Sequence, residues 1–327
     1  MAGLACAVQL QTHGVQVTVV ERSAQLGADA CSWFAGGMLA PWCEGESAEP
    51  SVVTLGSQAS TWWKRHVRCV HEQGTLVVAH ARDTSELRRF ANRTQNYRWV
   101  NRMVMAQLEP DVSERFNVGL FYEQESHLDP RQALQQLVER IHAQGGEILW
   151  GVDGRDIHVG EDMILDCRGF SARDVHPRLR GVRGEMLLLR THEIHFRRPI
   201  RVLHPRIPLY VVPRGQGVFM LGATMIESDK RGGASVRAIV ELLNAAYALH
   251  PSFAEAEILE LGAEVRPAFI DNLPEVRREG ATLYVNGLYR HGFLLAPAVA
   301  HQVAAAVLNS SFKLELRDAF DRKWRSV

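Results

Sequence analysis

The stretch MAGLACAVQLQTHGVQVTVVERS, residues 1–23, constrains the fold more than any other. Ala2 to His13 reads as a helix stopped by Gly14, and Val15–Val20 follows as a β run ending in Glu21. That order is the back half of a dinucleotide-binding βαβ unit. In such a unit a G-x-G-x-x-G turn joins the first strand to the helix. Two glycines let the backbone curl round a pyrophosphate, and the third lets the helix pack close to the strand. An acid about 20 residues further on takes the ribose hydroxyls. Gly3 stands at the third glycine, and Glu21 stands at the acid, 18 residues later. The first strand and the leading glycines are not in the sequence. We expect them in a longer natural product that starts roughly 12–18 residues earlier, a strand-plus-turn length. Taken alone, the segment equally suits an ordinary helix–strand pair with a surface glutamate.

Composition narrows the class. The 327 residues are 46% hydrophobic and carry 37 basic and 37 acidic side chains, so the formal net charge is zero. This is globular composition, with enough chain for a large core. No basic run points to nucleic acid or a membrane surface. No stretch of 18 apolar residues and no charged-then-apolar leader is present, so neither a membrane span nor a signal peptide is expected. The five cysteines are scattered without CxxC or zinc-like spacing, which suits reduced thiols in the cytoplasm and no metal.

Further elements follow along the chain. Polar, helix-compatible sequence runs from the GADACSWFAGGMLAP loop to about Asn101, and VGLFYEQ then reads as a strand. Asp129 caps a helix with Pro130 at its first position, and Ala133, Leu134, Leu137, Val138 and Ile141 line one face. EILW and DMILDCRGFSAR are strands, the second leading into a glycine turn. EMLLLR, LYVVPR and VFMLGAT have antiparallel character. A helix spans about Ser235–His250, and TLYVNGLYRHGFLLAP closes with strand, glycine loop and helix. Two interleaved domains suit this order. Residues 1–75, 126–180 and 262–327 would form an α/β, Rossmann-like parallel sheet. Residues 76–125 and 181–261 would form a mostly antiparallel substrate-binding domain.

Four separated blocks occur together: VTVVERSAQLGADACSWFAGGMLAPWCE, DCRGFSAR with GVRGEM, LYVVPRGQGVFMLGATMIES, and RPAFIDNLPEV with LYVNGLYRHGFLLAPAVA. The set resembles the flavin-dependent D-amino acid oxidase superfamily over nearly the whole chain. Within it, the glycine oxidases of thiazole biosynthesis are most similar.

The resemblance implies FAD. Glu21 and Arg22 would lie at the adenosine ribose, and Met1, Ala2 and Gly3 by the pyrophosphate. Cys31 and Ser32 match polar positions near the diphosphate, with Cys31 in place of the usual hydroxyl residue. Gly36, Gly37 and Met38 would run along the isoalloxazine, the backbone of Val152 would face adenine, and Gly169 would close over the cofactor. The helix start at Leu288, Tyr289, Arg290, His291, Gly292, Phe293 and Leu294 would aim its free N–H groups at the flavin.

On the substrate side, Arg266 matches a carboxylate-binding arginine, because a guanidinium fork fits a carboxylate bidentately. Arg290 and Tyr210 match two further active-site positions. His291 reads better as a turn residue than as a base. The implied reaction is oxidation of glycine or another small amino acid to the imine, with dioxygen reduced to peroxide. A thiazole synthase partner and a homo-oligomer are expected. A D-amino acid dehydrogenase, a cyanide synthase subunit and a non-catalytic flavoprotein scaffold are the competing readings.

Overall fold

The structure, a computed structural model, describes residues 1–157, 163–204 and 208–309. The tail assigned to the nucleotide-binding half, 310–327, and Asp162 at the start of DMILDC therefore lie outside the described residues.

Two apolar cores divide the described chain. In the first, the helices Ala2–Gln11, Pro130–Ala143 and Gly292–Leu308 pack together. The Ala2–Gln11 helix buries every residue from Leu4 to Leu10, as a helix apolar all round must. Asp129 caps the Pro130 helix as its sequence predicts, accepting from the N–H groups of Arg131 (2.8 Å) and Gln132 (3.1 Å). The strand Thr18–Glu21 pairs in parallel with Glu147–Trp150. Ile164–Asp166 pairs in parallel with Thr282–Asn286, whose other edge takes Glu275–Glu279 antiparallel. The expected single parallel sheet is thus two small sheets. Thr18–Glu21 and Ile164–Asp166 border one cavity and do not pair with each other.

The Gly292–Leu308 helix, with the turn before it, is long and apolar enough to cross a bilayer by composition. Here it is a core helix, packed against Ala2–Gln11 and Ala59–His66.

The second core is built on a nine-stranded, mostly antiparallel sheet. Several of its strands were not anticipated, among them Arg98–Asn101, Ile200–Leu203 and Glu257–Ala268, and Thr75–Ala79 lies within the segment that reads as polar and helix-compatible. It runs parallel to Ile200–Leu203 and antiparallel to Val118–Tyr122. All five of its residues are buried. Leu76 and Val78 face the helix side with Val236–Leu249, while Val77 and Ala79 face the Thr84–Arg93 helix. A strand covered on both faces reads as a short apolar run without alternation, which periodicity cannot tell from a helix. Each such Val or Leu contributes roughly 1.5–3 kcal/mol by burial. The Glu257–Ala268 strand pairs with Arg180–Arg190 along its length, so a boundary at 262 falls inside one strand.

Glu125, in the turn after Val118–Tyr122, is a buried acid that accepts the Cys43 N–H at 2.8 Å. Burial pushes its carboxyl up to about 7 from an ordinary 4.5. Its proton is therefore held in the folded chain and lost in the unfolded one. The stability this contributes is complete below about pH 4.5 and falls as the pH rises through 7. Glu125→Gln should gain on the natural protein by about 2–3 kcal/mol between pH 5 and pH 8. Denaturant melts at both pH values check this, and a stability difference that does not move with pH would contradict it.

Candidate active site

A cavity of about 1330 Å³ lies between the two cores. That exceeds the roughly 300–1,000 Å³ of ordinary small-molecule sites. At one end, Glu21 terminates its strand and accepts the Ser23 N–H through Oε1 at 2.8 Å. Arg22 pairs with Asp29 at 3.8 Å across the rim. A Cβ on Gly3 would stand 3.4 Å from Cys167 Cβ, an ordinary contact with the turn after Ile164–Asp166.

The middle of the cavity is walled by the Ala35–Met38 loop. Gly37 has φ +71°, and a Cβ there would lie 2.2 Å from the Leu128 carbonyl oxygen. A Cβ on Gly36 would lie 2.9 Å from the Tyr210 ring. No other residue type fits at Gly37 without moving backbone. Arg214 fixes this loop. Its guanidinium donates to the carbonyls of Ala35 (3.0 Å), Gly36 (2.9 Å) and Leu128 (2.9 Å). Burial lowers the Arg214 pKa to about 10, so it stays cationic at neutral pH.

At the far end stand Tyr210, Met225, Arg266, Arg290 and His291. Arg266 projects over Gly184, where a Cβ would collide with its guanidinium, and donates to the Thr224 carbonyl at 3.1 Å. Among the described residues no carboxylate comes within ion-pairing distance of it. Arg290 Nη2 lies 2.9 Å from Glu44 Oε2 and donates to Ser47 Oγ at 2.8 Å. Burial pushes the Tyr210 phenol up and the His291 imidazole down to about 4, the latter against Glu44 3.3 Å away. His291 is therefore neutral at pH 7.

All but one of the residues selected from sequence line this cavity, from Met1, Ala2 and Gly3 to the whole run Leu288–Leu294. Cys31, Ser32 and Gly169 are among them. The exception is Val152. Its N–H is bonded to the Glu21 carbonyl at 3.1 Å, and Trp150 and Asp153 border the space beside it. Sequence reasoning did not select Glu44, Arg201, Arg214 or Met225. Glu44, Arg214 and Met225 lie within the quoted blocks that end in APWCE, contain LYVVPR and end in TMIES, and that membership was the available signal.

The glycine wall, the acid at the strand end and the helix start at Gly292 suit a long, flat, phosphate-bearing cofactor. The chain matches the family described as "DAO: FAD dependent oxidoreductase" over residues 1–306 and belongs to it. It is an FAD-dependent oxidoreductase of that family. It is 53% identical over 318 residues to the "Putative thiamine biosynthesis oxidoreductase ThiO" of Rhizobium etli, covering 97% of each chain. It is 26% identical over 349 residues to the "Bifunctional protein ThiO/ThiG" of a Nostoc species, covering 94% of this chain and 51% of that one. The crystal structure of glycine oxidase from Geobacillus kaustophilus superposes with a TM-score of 0.80 at 19% identity, covering 95% of this chain and 94% of the other.

Gly37→Ala places a left-handed side chain against the Leu128 carbonyl. The strain is on the order of 1–3 kcal/mol, and the loop must shift to relieve it. Purified Gly37→Ala should melt below the natural protein and carry less flavin per chain by absorbance after denaturation. Equal flavin content and equal melting would show that the loop does not border the cofactor.

Proposed function

We propose that this chain oxidises glycine, or another small amino acid with one carboxylate, to its imine. The observation that carries the reading is Arg266: a cavity-lining guanidinium without a carboxylate partner among the described residues, in the same space as the Gly36–Gly37 wall. Bound FAD would accept a hydride from the amino acid's Cα and pass both electrons to dioxygen as hydrogen peroxide.

The chain's own residues bind and orient. Arg266 takes the substrate carboxylate in its fork, and Tyr210 donates its hydroxyl to a carboxylate oxygen. The raised phenol pKa keeps that hydroxyl protonated, so it remains a donor. Neutral His291 adds no charge beside the substrate amine. Met38 and Met225 give the site apolar walls. Orientation supplies most of the rate, because hydride departure from a neutral amine needs no strong base.

The imine either hydrolyses to glyoxylate and ammonia or passes to a thiazole synthase. The high identity to a ThiO and the likeness to ThiO/ThiG proteins, whose name joins the two, support that destination. A cytoplasmic homo-oligomer completes the reading.

Anaerobic glycine should bleach the flavin of the holoenzyme in stopped flow. Arg266→Ala should lower kcat/KM for that reduction by about 100-fold to 1,000-fold, the cost of losing a buried charge-assisted pair, while keeping its flavin. An unchanged kcat/KM would refute the assignment.

A further inference from the structure

The electrostatics of the cavity's far end are unbalanced in one respect. Three guanidinium groups, Arg201, Arg266 and Arg290, line it together with His291; Glu44 faces three of these four, while Glu264, the cavity-lining carboxylate two residues before Arg266, lies 3.8 Å from Arg231. Glu44 Oε2 is 2.9 Å from Arg290 Nη2 and 3.3 Å from His291 Nδ1, and Oε1 is 3.5 Å from Arg201 Nη1. Burial alone would raise the Glu44 carboxyl. Arg290, His291 and Arg201 overcome that and bring it down to about 2, so it is an anion at every working pH. Arg266 is the arginine that Glu44 does not engage.

Room does not explain a preference for small substrates. A second cavity of about 410 Å³ adjoins the first and shares Arg201, Met225, Arg290 and His291 with it. A longer acid could extend past Arg290 into that space. Its second carboxylate would, however, meet Glu44 already seated on the guanidinium.

We infer that Glu44 sets substrate specificity: by occupying Arg290 and sharing Arg201, it leaves one arginine for one carboxylate and repels amino dicarboxylates. This deepens the reading above and rests on it for the identity of the substrate. The attraction at Arg266 selects a carboxylate, and the like charge of Glu44 rejects a second one. Removing that charge while keeping the side chain's shape should free Arg290 for the second carboxylate of a dianion such as iminodiacetate or malonate.

The test uses FAD-loaded protein and two redox-inert probes, acetate and malonate, titrated by their perturbation of the flavin absorbance. Natural protein should bind acetate about 10-fold or more tighter than malonate. In Glu44→Gln the malonate-to-acetate affinity ratio should rise by about 30-fold or more, and iminodiacetate should begin to reduce the flavin anaerobically. Glu44→Asp, which keeps the charge, should hold the natural preference. Malonate binding as tightly as acetate in the natural protein would overturn the inference without any variant, as would an unchanged ratio in a folded, yellow Glu44→Gln. The titrations need no turnover. A natural protein that discriminates against malonate but is not reduced by glycine would therefore sink the glycine reading and leave the charge balance standing.

Discussion

One buried guanidinium joins the two halves of this molecule. Arg214 belongs to a strand of the large antiparallel sheet, yet its three acceptors belong to the nucleotide-side loop and to Leu128 beside it. The carbonyls of Ala35, Gly36 and Leu128 would otherwise be desolvated at the cavity wall without partners, at a cost of about 1–3 kcal/mol each. Because those bonds are charge-assisted and radiate from a planar donor, they fix direction as well as distance. The glycine wall then stands where Tyr210, four residues earlier on the same strand, closes against it. The glycine loop and the Tyr210 strand thus share one hydrogen-bonded frame.

Charge organises the rest of the site. Cations outnumber anions at the Arg266 end of the cavity, but the Glu44 pairs prevent that end from being an undirected patch of positive potential. What remains open is local and oriented. His291, buried and neutral, sits among arginines without adding to their charge, because protonation there would need hydration that the core denies it.

Much of this was legible in the residues. The Asp129–Pro130 cap has a narrow physical meaning and stands where that meaning requires, and Glu21 ends its strand as the β run predicts. The grouping of Arg266, Arg290 and Tyr210 followed from a resemblance spread over four blocks, and all three line the same cavity. The Thr75–Ala79 strand escaped because burial on both faces erases the alternation that marks a strand. Glu44 and Arg201 escaped for a different reason. They lie 157 positions apart in the sequence, and a charge has no readable role until its partner is known.

Local chemistry therefore belongs to the sequence: which turns need glycine, where helices start, and which residue types can hold a carboxylate or a ribose. Those properties depend on a residue and its near neighbours. Tertiary structure alone decided which arginine is free and which is engaged, because that is settled by distances of about 3 Å between groups brought together from Pro41–Glu44, Ile200–Leu203, Glu257–Ala268 and Tyr289–His291. Coulomb interactions fall with separation and depend on burial, and neither quantity exists before the chain has folded.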